Sequence, residues 1–201
     1  MLHIDKQGLV LDVRVVNAIR PAIERGPLDI VRGVIVHQTG GSTAQSSLES
    51  YKRPSANGAH FLIDKDGTIY QTASVKKQTW HVGKIKNRCM LEARCTTEEQ
   101  KLYKKFNPTR ENKMEMKKTV PDRFPSNEDS IGIELVGEAL PRDKTIPDEK
   151  KTYETVSEAQ NNSLSWLIHE LSAALHFRLI EVFRHPVVSR KNISEASTAK
   201  W

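Results

Sequence analysis

The stretch Ser130-Ile131-Gly132-Ile133-Glu134-Leu135-Val136-Gly137 sets a carboxylate in the middle of an apolar, β-branched run. Its length and composition read as a buried strand in a sheet covered on both faces. Burying an unpaired carboxylate is costly. Glu134 therefore either faces solvent, as the alternation of Ile131, Ile133 and Leu135 permits, or faces a crevice where a proton-transferring acid has work to do. Two further runs have the same character: Ile30-Val31-Arg32-Gly33-Val34-Ile35-Val36 and Leu179-Ile180-Glu181-Val182-Phe183-Arg184. Each leads directly into a histidine, His37 and His185. Adjacent strand ends bring such side chains into one crevice; taken singly, each histidine reads equally well as a strand cap.

Outward from these runs, Ala59-His60-Phe61-Leu62-Ile63, the turn Asp64-Lys65-Asp66-Gly67 and Thr68-Ile69-Tyr70-Gln71 form a hairpin, with Asp-Gly as the turn signal. Trp80-His81-Val82-Gly83 follows. A short helix is expected around 46–51. A long one is expected from about 148 to 177, where Leu164, Leu167, Ile168, Leu171 and Leu175 recur at helical spacing. His169 and His176 on that helix read as structural or surface residues, and His3 as inert. Between 84 and 128 the periodicity dissolves, which predicts an insertion or long excursion with one helix over 97–106. The alternation of strands and helices gives a mixed α/β class, with a central mixed β-sheet flanked by helices in a single domain over 1–201.

The chain has 201 residues, 37% hydrophobic and 28% charged, an ordinary globular composition. The net charge of +6 suggests an anionic partner. The excess is local: residues 76–118 hold 13 Lys and Arg against 5 Asp and Glu. The chain has no zinc-finger framework, RNA-type aromatic motif set or recognition-helix signature, so no nucleic-acid partner is expected. No apolar run is long enough for a transmembrane helix. The first residues lack the basic cap and apolar core of a secretory signal. Cys89 and Cys95, six apart, read as free thiols, with a short disulfide as the alternative in an oxidising compartment.

Two imidazoles and a carboxylate suit zinc with an open fourth position, although no His-Glu-x-x-His motif or two-cysteine pair supports it. A set of segments standing in one order supplies the missing specificity. Gly33-Val34-Ile35-Val36-His37-Gln38-Thr39, the hairpin from Ala59 to Gln71, Thr79-Trp80-His81-Val82-Gly83, Ser130 to Gly137, and Phe183-Arg184-His185-Pro186 together resemble the zinc-dependent N-acetylmuramoyl-L-alanine amidases. This is the amidase_2 family, related to peptidoglycan recognition proteins and phage T7 lysozyme.

The resemblance implies a zinc cleft on one side of the sheet, with His37 and His185 as ligands. The family's third ligand is an Asp or Cys eight to ten residues beyond the second histidine. Here those positions hold Ile193 and Glu195, a departure, and Glu195 is the nominee. Glu134 matches the catalytic carboxylate and Lys191 the oxyanion-stabilising lysine, although a tail lysine is ordinarily just a solvated cation. His60, Trp80 and His81 match cleft-lining, substrate-binding positions.

The implied reaction is hydrolysis of the amide between N-acetylmuramic acid and L-alanine in peptidoglycan or muropeptides. The alternative is a non-catalytic peptidoglycan-binding module. Synthesis in the bacterial cytoplasm is expected. Three settings remain open: cytoplasmic muropeptide recycling, release as a phage lysin, or signal-independent export as an effector. An effector would be partnered by an immunity protein or a secretion-system component. The excursion at 84–128 and the ending Ser189–Trp201 favour lysin or effector.

Overall fold

In a computed structural model describing residues 2–201, two parallel strands form the centre of the sheet. These are β3 (Gly33–Gly40) and β7 (Ser130–Leu140). Around them lie β1 (Val15–Asn17), β4 (Phe61–Ile63), β5 (Ile69–Gln71) and β9 (Val182–Arg184), in the order β1-β5-β4-β7-β3-β9. The short β8 (Thr152–Tyr153) pairs with the end of β7, and β2 (Glu24–Pro27) pairs with β6 (Lys77–Thr79) in a separate two-stranded sheet. The β4–β5 hairpin is antiparallel, while β3 runs parallel to both β7 and β9, so the sheet is mixed.

Strand alternation sorts the two faces. Val34, Val36, Phe61, Ile63, Ile131, Ile133 and Leu135 pack with Leu164, Leu167, Ile168 and Leu171 of the helix α5 (Glu158–Leu175). The opposite face of β3 packs Ile35 against Val82, Ile85, Phe124 and Val188. On that same face, His37 pairs in register with Glu134. On the other edge of β3, Val36 pairs with Arg184, so the next residue, His185, emerges beside His37. Register alone therefore brings the two histidines and the strand acid to one level of three neighbouring strands.

Two expectations are corrected. The long helix starts at Glu158, because Ser157 and Gln160 close a reciprocal capping box there. The residues expected to open it instead form a 3-10 turn at Asp148–Lys150 and then β8. Cys89 and Cys95 form a disulfide rather than standing as free thiols.

The 84–128 stretch carries three short helices, α2 (Arg88–Leu91), α3 (Thr97–Tyr103) and α4 (Pro108–Glu115), where one was expected. Arg88 ties this segment to the sheet. Its guanidinium pairs with Glu181 at 2.6 Å, with both side chains buried, and lies over the rings of Phe124 and Phe183. The remaining helices are α1 (Ala44–Ser50) and α6 (His185–Val188).

Candidate active site

A cleft of about 510 Å³ opens over β3 and β7 where these residues meet. His37 Nδ1 lies 3.6 Å from Glu195 Oε1, and His185 Nδ1 lies 2.9 Å from the same oxygen. One ligating atom from each of the three falls within 4.8 Å of the other two, and all three residues are buried. Ile193, the competing position in the tail, is 88% exposed.

Glu195 is held by its neighbours. Ala196, with a φ of +52°, turns the chain just beyond it, and the Ala196 N–H donates to Gln38 Oε1. Asn192 Nδ2 donates to the carbonyls of Asp148 and Lys151, pinning the tail loop to the segment that the helix left free.

Burial draws the His37 pKa down to about 4, with His185 adding to the effect. Burial raises the Glu195 carboxyl, but its close contacts with His185 and His37 more than offset this and leave it at about 2. A neutral imidazole beside an ionised carboxylate is the donor chemistry a dication requires. Glu134 lies across the register from His37, and its Oε2 is buried with no hydrogen-bond partner. Desolvation first, and then the Glu195 charge, raise its pKa to about 8, opposed by Lys191. The cluster thus combines metal-competent donors with a carboxyl whose pKa is raised into the range of proton exchange. Its residues fit a zinc ion, and the unpartnered Glu134 oxygen is aimed into the same cleft.

Lys191 is exposed and lines this cleft. Trp80 stands at the mouth, 51% exposed, with the Arg25 guanidinium 4.7 Å from its ring centroid. His81 also lines the cleft, and its Nδ1 lies 2.9 Å from His37 Nε2. His60 is not brought to the cleft. It is fully buried, accepts from the Gly132 N–H at Nδ1 and donates from Nε2 to the Lys77 carbonyl, bridging β7 to β6.

Several cleft residues were not foreseen. Tyr51, Asn127, Asp148 and Tyr153 line it as well. Of these, Asp148 and Tyr153 were hidden by the helix expected over them.

The sequence over residues 27–199 matches Amidase_2, described as N-acetylmuramoyl-L-alanine amidase. The chain belongs to this family. Membership places it among amidases that act on peptidoglycan. Solved structures share the fold at low identity. A selenomethionine derivative of AmpD is 16% identical with a TM-score of 0.55, over 94% of this chain and 88% of that one. The catalytic domain of XlyA is 19% identical with a TM-score of 0.51, over 88% and 87%. PlyL is 12% identical with a TM-score of 0.52, over 88% and 84%. No curated protein matches the sequence.

Proposed function

We propose that this amidase is zinc-dependent and hydrolyses the bond between the lactyl carbonyl of N-acetylmuramic acid and L-alanine. The supporting observation is that a His37–His185–Glu195 donor set and the buried, unpartnered Oε2 of Glu134 share one cleft. Zinc held by His37 Nδ1, His185 Nδ1 and Glu195 would supply Lewis acidity and make a water more acidic.

The chain's own groups do the rest. Glu134 takes a proton from the attacking water at its carboxylate and returns it to the departing L-alanine nitrogen. Lys191, on the cleft rim, offsets negative charge developing on the carbonyl oxygen. Trp80 offers a half-exposed ring at the mouth as a platform for the substrate, with Arg25 covering one face. His81 lies too close to His37 to be a free substrate contact and acts chiefly from behind it.

The deciding experiment pairs metal analysis with mass spectrometry of digested muropeptides. One zinc per chain, and products consisting of a glycan and a free stem peptide beginning with L-alanine, are expected. Binding of muropeptide without cleavage would make the protein a peptidoglycan-binding module instead. The Cys89–Cys95 disulfide further supports action in an oxidising space outside the cytosol. Alkylation of cell fractions without prior reduction tests this. Free thiols in the fraction that carries the activity would return the protein to a cytosolic role.

A further inference from the structure

Both candidate ligand histidines turn Nδ1 toward Glu195 and Nε2 away from it. An imidazole offers a metal the lone pair of one nitrogen while the other nitrogen carries hydrogen, so the group facing that second nitrogen selects the tautomer. His185 Nε2 lies 2.9 Å from the Val82 carbonyl oxygen. A carbonyl only accepts, so this nitrogen holds the hydrogen and Nδ1 is the position left for a cation.

His37 Nε2 faces a second imidazole, His81 Nδ1, at 2.9 Å, a pairing that by itself runs in either direction. The next links decide it. The Ser130 hydroxyl donates to the Ser126 carbonyl, so its oxygen is left to accept from His81 Nε2 at 3.3 Å. With its hydrogen on Nε2, His81 presents a lone pair at Nδ1, and His37 must donate from its own Nε2. Both histidines therefore arrive in the same form, with Nδ1 turned to the cluster.

The two partners that select this form are consecutive residues, His81 and Val82. One side chain holds them: Asn127 Oδ1 accepts from the His81 N–H at 3.0 Å and the Val82 N–H at 2.8 Å. Backbone N–H groups only donate, so the amide orientation of Asn127 is determined. Asn127 is itself anchored. The adjoining turn is closed by Ser126 N–H to Asp129 Oδ1, and Asp129 is paired to Arg123 at 2.7 Å, with both side chains buried. Gly132 completes the frame, since a Cβ there would lie 2.7 Å from His81 Nδ1.

We propose that Asn127 is a positioning residue for the metal site. By fixing the His81–Val82 backbone, it sets the hydrogen-bond partners that make both His37 and His185 present Nδ1. This rests on the metal reading of the His37–His185–Glu195 cluster. Outer partners of metal-bound histidines are typically worth about 10- to 100-fold in metal affinity.

The test is zinc affinity by chelator competition, together with the absorption spectrum of the cobalt-substituted protein, for wild type, Asn127→Ala, Asn127→Asp and Ser130→Ala. Circular dichroism establishes folding for each. Asn127→Ala is expected to lose about 10- to 100-fold in zinc affinity and to shift the cobalt spectrum. Asn127→Asp keeps the accepting oxygen and is expected to recover most of the affinity. Ser130→Ala leaves the Asn127 side chain in place and removes the acceptor of His81 Nε2, together with the Ser130 bond to the Ser126 carbonyl, so it is expected to shift the spectrum with a smaller loss. It also tests the chain should Asn127→Ala not fold. Wild-type affinity and spectrum in a folded Asn127→Ala, or in Ser130→Ala where only that variant folds, would overturn the proposal. Absence of zinc binding by the wild type would overturn the metal reading itself, and this proposal with it.

Discussion

At Glu134 a carboxylate sits one strand from His37 with an oxygen that nothing in the fold satisfies. A strand glutamate kept for stability would be paired or solvated. Glu134→Gln keeps the shape and removes the proton exchange. It is expected to hold zinc at wild-type stoichiometry while turnover falls by about 10²- to 10⁴-fold. Metal analysis and muropeptide hydrolysis measured side by side check this, and undiminished hydrolysis would take Glu134 out of the reaction. Glu195→Ala separates differently: zinc is expected to be lost along with activity, whereas Ile193→Ala, at the exposed rival position, retains both. Lys191→Ala is expected to cost about 10²-fold or more in turnover with zinc retained; loss of zinc would make Lys191 a structural residue.

The reach of sequence reading at this scale follows from what each role requires. His37 and His185 stand out because each follows directly on a strand-like apolar run. Asn127 does not, because its function is a carbonyl oxygen offered to two backbone groups some 45 residues away, which leaves no pattern. His60 matches a cleft-lining position in the family resemblance, yet its ring bonds to Gly132 and Lys77, and only the packed sheet reveals that.

At the level of elements, the central pair β3 and β7 was legible from composition, since strands buried on both faces show as unbroken apolar runs. β1, β2, β6 and β8 were not, being short pieces that carry polar residues at sheet edges. The helix start was misread although its signal was present. Apolar spacing locates the helix face, but the Ser157–Gln160 capping box sets the boundary. That boundary has consequences, because the ten residues ahead of α5 close one side of the cleft.

Close packing between β3 and the turn leading into β9 gives a test of how tightly the His37 and His185 strands are held. A Cβ on Gly33 would lie 2.3 Å from the Glu181 carbonyl oxygen and 2.7 Å from Pro125 Cγ. Gly33→Ala must move backbone and is expected to destabilise by about 1–3 kcal/mol. Gly26→Ala, with nothing within 4 Å, is expected to stay within about 0.5 kcal/mol of wild type. Urea denaturation of the two variants measures the difference, and equal midpoints would show that the β3–β9 junction yields.

For the whole molecule, the charge excess acquires a location and a direction. Within residues 84–118 four of the five acids are taken up in ion pairs. Glu92 pairs with Arg88 and Arg94, Glu99 and Glu115 share Lys118, and Glu111 holds Arg190. Lys101, Lys104, Lys105, Arg110, Lys113 and Lys117 are left exposed, and none of them forms an ion pair among the described residues. The Arg190–Glu111 pair joins this surface to the residue before Lys191, so the cationic face borders the cleft rim. A cell wall is an anionic polymer, and a surface of one sign concentrates an enzyme on it without touching the scissile bond. Such attraction is long-ranged only at low ionic strength, because charges separated by more than roughly 8 Å are screened at physiological salt.

Replacing Lys101, Lys104, Lys105 and Lys113 with Gln is therefore expected to weaken pelleting with intact walls at low salt. The gap to wild type should close as salt is added, and hydrolysis of small soluble muropeptides should be unchanged. Wall affinity that survives the substitutions would reduce the basic face to a solubility feature. Loss of hydrolysis on soluble fragments would instead place those lysines in the cleft's own chemistry.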